Sequence, residues 1–214
     1  MPNKPLKPLP PLRIAVLASG EGQTLQAVLD AVAEGRLAAK IVLVVSNNAA
    51  AGALRRAREA GIAALHLSTT LDSDAATLDC ALTAALLAAT PDVVVTAGYM
   101  KRLGPEVMAA FHRRMINVHP SLLPKYGGQG MYDRYVHEAV LAAGEQESGA
   151  TVHFVEGDYD SGPTIAQVRV PVLAGDTTER LAARVKQRER ELLVEVLRRR
   201  ALSGYFDFKE DEGA

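Results

Sequence analysis

The chain has 214 residues, 48% of them apolar and 23% charged, with a formal net charge of −1. That length supports one α/β domain with a sizeable core and is short for two. A balance so near neutral carries no basic excess or stripe for a nucleic acid or an anionic membrane surface, and no apolar run reaches the length that crosses a bilayer.

Residues 1–11 hold five prolines and two lysines and no apolar stretch, which reads as a disordered or extended tail and not as a signal peptide. From Leu12 onward, short β-branched runs alternate with helical stretches. Ile14-Ala15-Val16-Leu17 is a buried strand, and a helix begins over residues 25–32. Ile41-Val42-Leu43-Val44-Val45 is the next strand, followed by a helix rich in alanine and arginine over about residues 50–60. A short strand near residues 63–67 precedes a long helix over about residues 73–89. The single cysteine, Cys80, falls in that helix and reads as a small buried residue. One thiol makes neither an internal disulfide nor a zinc knuckle, which fits a reducing, cytoplasmic setting.

Asp92-Val93-Val94-Val95-Thr96 is a continuous apolar run of the kind that forms a central parallel strand. A helix near residues 105–112 leads to a fifth strand, Met115-Ile116-Asn117-Val118, stopped by Pro120. Two more strands, over residues 150–155 and 164–172, are joined by a Gly/Asp/Pro turn with no room for a crossover helix, so they form an antiparallel hairpin. The last helix runs over about residues 177–201, with Asp176 placed to cap it and Glu179 at the capping-box position. The whole is an α/β fold: a doubly wound, mostly parallel sheet with a late antiparallel hairpin and helices on both faces. One domain covers residues 12–203, with a short tail over 204–214. Such sheets bind ligands beyond the carboxyl ends of their strands, where strand order reverses. That points to the residues following strands one, four and five.

After strand one comes Ser19-Gly20-Glu21-Gly22-Gln23-Thr24-Leu25. Glycines there let the backbone approach an anion, and the following helix end offers free N–H groups to it. The dinucleotide fingerprint would place a third glycine at Leu25 and an acid at the end of strand two, where Ser46-Asn47-Asn48 stands. A nicotinamide cofactor is therefore disfavoured, and one phosphate of a smaller ligand fits better.

After strand five comes Asn117-Val118-His119-Pro120-Ser121. Residues two apart on a strand point the same way, so Asn117 and His119 project together at its carboxyl edge. An amide N–H beside an imidazole suits acyl transfer: the amide donates to an oxygen that gains charge, and the imidazole donates or relays a proton near neutral pH. The other histidines read as structural or solvent-facing: His66 at a strand end, His112 and His137 on helix faces, and His153 as a satisfied strand residue. A working histidine needs a carboxylate to fix its tautomer and favour its charged form. Gly157-Asp158-Tyr159-Asp160-Ser161-Gly162-Pro163 supplies candidates, and spacing does not choose between Asp158 and Asp160.

Taken together, Asn117-x-His119-Pro120-Ser121-Leu122-Leu123-Pro124-Lys125-Tyr126 followed by Asp160-x-Gly162-Pro163 resembles the folate-dependent formyltransferase family, over nearly all of residues 12–202. The resemblance implies a Rossmann-like fold, a formyl group taken from 10-formyltetrahydrofolate as co-substrate, and no metal. It makes Asn117, His119 and Asp160 the catalytic trio, choosing Asp160 over Asp158. The short chain and the Ser19-Gly20-x-Gly22 loop are similar to the branch of the family whose acceptor is glycinamide ribonucleotide. In that branch Gly20, Glu21, Gly22 and the helix segment Lys186, Gln187, Arg188 and Glu189 would bind the acceptor, with Glu189 at its ribose. Folate would be held by Met100, Lys101, Arg102, Leu103, Asn117 and by Glu156, Gly157, Asp158, Tyr159 and Asp160. The partners implied are small molecules, with self-association as a homodimer left open. Glu21 stands where many relatives carry asparagine, and Asp74 where some place an arginine near the folate. A deformylase that uses water as acceptor shares the trio, and a non-catalytic nucleotide-binding module is the reading from another class.

Overall fold

A computed structural model describes residues 9–68 and 74–206. Most of the proline-rich start, the expected helix start at Ser73 and the end of the chain from residue 207 lie outside the described residues.

The elements run β1 (Leu12–Leu17), α1 (Gln23–Ala33), β2 (Ala39–Ser46), α2 (Gly52–Glu59), β3 (Ala64–His66), α3 (Ala75–Ala89) and β4 (Val93–Thr96). There follow α4 (Pro105–Ala110), β5 (Met115–His119), α5 (Arg134–Ala142), β6 (Glu147–Phe154), β7 (Thr164–Pro171) and α6 (Thr178–Ser203). All seven strands form one sheet in the order β3-β2-β1-β4-β5-β6-β7. The first five are parallel, and β6 and β7 add to the β5 edge as an antiparallel hairpin. Strand order reverses between β1 and β4, which opens a crevice beyond their carboxyl ends.

The central strands need an apolar residue at every position because both faces are covered. Ile14 and Val16 of β1, with Val93 and Val95 of β4, pack with α1 and α6. Ala15, Leu17 and Val94 point the other way, into the layer made with α3 and α4. A smaller cluster joins α5, α6 and the end of β7 through Val136, Val140, Val170, Leu181 and Val185. Among the described residues no helix is long and apolar enough to cross a membrane.

Two local readings need correction. Cys80 is exposed, with its Sγ 3.4 Å from a Glu106 carboxylate oxygen. Its neighbour Asp79 is the buried one, because its carboxylate accepts from the Glu106 and Val107 N–H groups and caps α4. Adjacent helix residues point about 100° apart, so burying Asp79 turns Cys80 outward. The cap of α6 is Thr177, whose side chain accepts from the Arg180 N–H. Asp176 instead accepts from Leu173 N at 2.8 Å and pairs with Arg184, closing the turn before the helix. Asp74 is the N-cap of α3, 2.7 Å from Thr77 N, so here it starts a helix. After α6 the chain turns at Gly204 and folds back, so that Phe206 is buried edge-on against Phe154 with ring centres 5.5 Å apart.

Candidate active site

Strand register builds the centre of the site. Thr96 of β4 pairs with Asn117 of β5, and Asn117 pairs with His153 of β6. Three polar side chains therefore stand in a row across neighbouring strands, where facing residues share one side of the sheet. Thr96 Oγ1 donates to Asn117 Oδ1 at 2.8 Å. Asn117 Nδ2 lies 3.1 Å from His153 Nε2 and 3.4 Å from Asp160 Oδ1. The other nitrogen of His153, Nδ1, lies 2.8 Å from the Phe154 carbonyl, which can only accept. In the neutral ring the proton is thus on Nδ1 and Nε2 accepts from Asn117; Nε2 also lies 3.4 Å from Asp160 Oδ1, toward which it donates only when the ring is charged.

His119 is buried, at 4% exposure, one inward position further along β5. Its Nε2 donates to the Tyr126 carbonyl at 2.8 Å, and its Nδ1 faces Asp160 Oδ2 at 3.4 Å, an ion-pair contact longer than a good hydrogen bond. Asp160 also accepts from Gly128 N at 3.0 Å. It has φ 56, in the left-handed region, where the hairpin turn aims its carboxylate back at β5. Gly162 allows this turn to close, because a Cβ there would lie 2.0 Å from the Phe154 carbonyl oxygen. Asp158, left open by spacing, is exposed and pairs with Arg102 at 3.2 Å. Asp160 is the carboxylate that meets the imidazole.

Burial pulls His119 below the ordinary histidine value; the Asp160 charge and the Tyr126 carbonyl push it up and lose. The expectation that Asp160 raises it therefore holds for that one interaction and fails for the net shift, because the ring is buried. For Asp160, burial acts upward but is outweighed by the His153 contact, the His119 charge and the Gly128 N–H, so the carboxyl sits below its usual range.

A cavity of about 100 Å³ opens beside Asn117, between the loop after β4 and the β6–β7 hairpin. Lys101, Arg102, Leu103, Asn117, Gly157, Asp158, Tyr159 and Asp160 line it, together with Thr96, Tyr99, Met108, His153 and Val155. Met100 and Glu156 stand apart from it. The Met100 side chain is 51% exposed, and its N–H donates to Ser19 Oγ. Glu156 pairs with Arg113 at 3.0 Å and lies 3.7 Å from His112. His119 is held behind Asn117 and is not among the lining residues.

On the other side, Gly22 begins α1 in the left-handed conformation, φ 71, with no side-chain cap. A Cβ there would lie 2.7 Å from Ala53 Cα, so only glycine lets this loop rest on α2. The uncapped first turn leaves N–H groups for an anion. Glu21 turns toward α2: its carboxylate is 4.0 Å from Arg55, and Arg56 Nε donates to its carbonyl at 2.8 Å. Ser19 ties this loop to its neighbours through Asn47, the Gly98 carbonyl and the Met100 N–H.

The four helix residues 186–189 divide between two faces, as four successive helical positions must. Lys186 pairs with Asp133 at the start of α5, and Glu189 shares the field of Lys186 and Asp133. Burial, partly countered by Lys186 and Arg190, pushes Glu189 up to about 7. Gln187 and Arg188 turn toward Glu191 instead. Next to this cluster, His137 of α5 is fully buried, neither ring nitrogen has a hydrogen-bond partner among the described residues, and burial holds its pKa down to about 4. His66 and His112 are exposed.

A seven-stranded doubly wound sheet that gathers an amide, an imidazole and a carboxylate at the carboxyl end of β5 has the architecture of a Rossmann-like enzyme with the polar groups acyl transfer uses. The formyl transferase family model matches residues 12–197, and the chain belongs to that family. It is 42% identical over 203 residues to a phosphoribosylglycinamide formyltransferase of Mycobacterium tuberculosis, covering 90% of this chain and 87% of that protein. It is 40% identical over 185 residues to the chloroplastic phosphoribosylglycinamide formyltransferase of Vigna unguiculata, covering 86% of this chain and 59% of that longer protein. Glycinamide ribonucleotide transformylase 1 of Symbiobacterium toebii superposes with a TM-score of 0.83 at 40% identity, covering 89% of this chain and 88% of that one. A formyltetrahydrofolate deformylase of Pseudomonas syringae shares the fold at a TM-score of 0.79 and 26% identity, with 89% of this chain and 61% of that chain covered.

Proposed function

We propose that the chain transfers the formyl group of 10-formyltetrahydrofolate to the amine of glycinamide ribonucleotide. The observation that carries this reading is the meeting of Asn117, His119 and Asp160, brought together from β5 and the late hairpin, beside the cavity between the loop after β4 and that hairpin. The names of the relatives at about 40% identity over most of the chain support the choice of acceptor.

The folate ring system occupies the cavity, where Tyr99, Leu103, Met108 and Val155 offer apolar walls. The ribonucleotide approaches from the glycine-loop side, its phosphate at the uncapped start of α1 and its ribose toward Glu189. Holding both molecules in attack geometry supplies much of the rate. The amine attacks the formyl carbon, and the carbonyl oxygen gains charge against Asn117 Nδ2. The bond from the formyl carbon to folate nitrogen then breaks, and that nitrogen takes a proton. His119 takes the proton that the attacking amine loses onto Nδ1, the nitrogen whose contact with Asp160 is long enough to exchange for substrate, and passes it to the folate nitrogen. Asp160 orients the ring and balances its charge while it is protonated.

The test is to mix the protein with 10-formyltetrahydrofolate, with and without glycinamide ribonucleotide, and to follow deformylated folate. Turnover that requires the ribonucleotide supports the transferase. Equal turnover without it makes the chain a hydrolase, and ligand binding without turnover makes it a binding module.

A further inference from the structure

We infer that Thr96 is a positioning residue for formyl transfer, its hydroxyl holding the Asn117 carboxamide in place through the amide oxygen. The inference rests on the function proposed above and on side chains that lie in one row across β4, β5 and β6.

A carboxamide has two edges of nearly equal size and opposite hydrogen-bonding sense, so packing alone does not choose between them. Charge on the formyl oxygen is stabilised only if the N–H edge faces it; the carbonyl edge would repel it. Thr96 is 6% exposed and holds its hydroxyl 2.8 Å from Asn117 Oδ1 and 3.3 Å from the Ile116 carbonyl. A hydroxyl can donate or accept, so the amide edge is chosen by the acceptors on the other side, His153 Nε2 and Asp160 Oδ1, and the Thr96 proton goes to the amide oxygen they leave facing it. Asn117 is then fixed with Oδ1 toward β4 and Nδ2 toward His153 and Asp160. Rotating the amide by half a turn would set its oxygen against His153 Nε2 and a carboxylate oxygen, three acceptors together, since the His153 proton is already given to the Phe154 carbonyl. His153 and Asp160 therefore select the edge, and Thr96 secures it from the opposite side.

Valine keeps the size and β-branching of threonine and removes only the donor. In Thr96→Val, Asn117 Oδ1 is left without a partner and the amide is held from one side. One neutral hydrogen bond of this kind corresponds to about a tenfold change in rate. The expected result is a kcat about tenfold lower, with KM for both substrates within about twofold of the parent. Thr96→Ser, which restores the donor, should recover kcat to within about threefold. A role limited to packing would lower the melting temperature and would treat valine more kindly than serine, which leaves a small void.

The inference is overturned if the valine variant keeps kcat within about twofold, or if serine falls as far as valine. Should the valine variant not fold, Thr96→Cys stands in for it: a thiol is a weak donor close in size to the serine hydroxyl, so its kcat should fall below that of Thr96→Ser. Asn117→Ala in the same assay keeps the two readings distinct. Full turnover of that variant sinks the proposed catalytic assignment, whereas its loss beside a fully active valine variant sinks the role of Thr96 alone.

Discussion

Two polar clusters flank the reaction centre, and they are built in opposite ways. In the strand-built cluster every buried polar group has a counterpart: Thr96 meets Asn117, Asn117 meets His153 and Asp160, and His153 meets a carbonyl. In the helix-built cluster between α5 and α6, His137 has no hydrogen-bond partner at either ring nitrogen and Glu189 is held up near 7 by burial. Strand pairing fixes side chains in pairs, so a polar row can be completed. Packed helices bring groups together by surface fit, and their polar needs are met less fully. The first cluster is pre-arranged by strand pairing, and the second leaves buried polar capacity unmet among the described residues.

The largest expected break in that comparison comes from the strand-built side. Asn117→Ala should lower kcat by on the order of a hundredfold or more, about 3 kcal/mol in the barrier, with a melting temperature near that of the parent. Steady-state kinetics at saturating substrates check it, and near-full turnover would remove Asn117 from the mechanism.

Next comes the pH response of His137. Its folded value, about 4, lies below that of a free histidine, near 6.5, so folding favours the neutral ring. Its share of stability is present above pH 6.5 and is lost as pH falls toward 4, by about 3 kcal/mol at most. Denaturant titrations of the parent and His137→Phe at pH 7.5 and 4.5 should show a smaller loss in the variant. Equal losses would place the ring in water.

Glu189 works in the other direction. Its folded value, about 7, lies above the ordinary 4.5, so folding favours the protonated acid. That contribution is complete below pH 4.5 and fades as pH rises through 7. Glu189→Gln should therefore be more stable than the parent at pH 8, by on the order of 1–2 kcal/mol once partial exposure is allowed for, and nearly equal to it at pH 4.5. If Glu189 also contacts the acceptor, the same variant should raise KM for the ribonucleotide and leave that for folate unchanged.

The smallest effect belongs to a position outside both clusters. Asp74→Ala removes the cap of α3 and should cost about 1 kcal/mol, read from thermal unfolding, with KM for folate unchanged.

The alternation of strands and helices, the late hairpin and the pairing of Asn117 with His119 at one strand end were all legible in the sequence, because each follows from local pattern. What escaped were features set by three-dimensional register. His153 looked like an ordinary strand histidine because nothing local says that it faces Asn117 across β5 and β6. Spacing alone leaves Asp158 and Asp160 alike as turn residues, and the choice of Asp160 comes from the resemblance; the left-handed backbone at Asp160 is what turns its carboxylate inward. Cys80 read as buried, whereas α3 buries its neighbour Asp79 to cap another helix and turns the thiol outward. In residues 186–189, a charged run reads as one unit, whereas the helix sends its members to different neighbours.

The return of the chain after α6 has one more consequence. Phe206 backs Phe154, whose carbonyl anchors the His153 ring and borders the turn that carries Asp160. A protein shortened just after Ser203 would retain each group that touches substrate and yet lose the wedge behind the hairpin. Its turnover would then decline through looseness in β6, with the chemical inventory of the pocket intact.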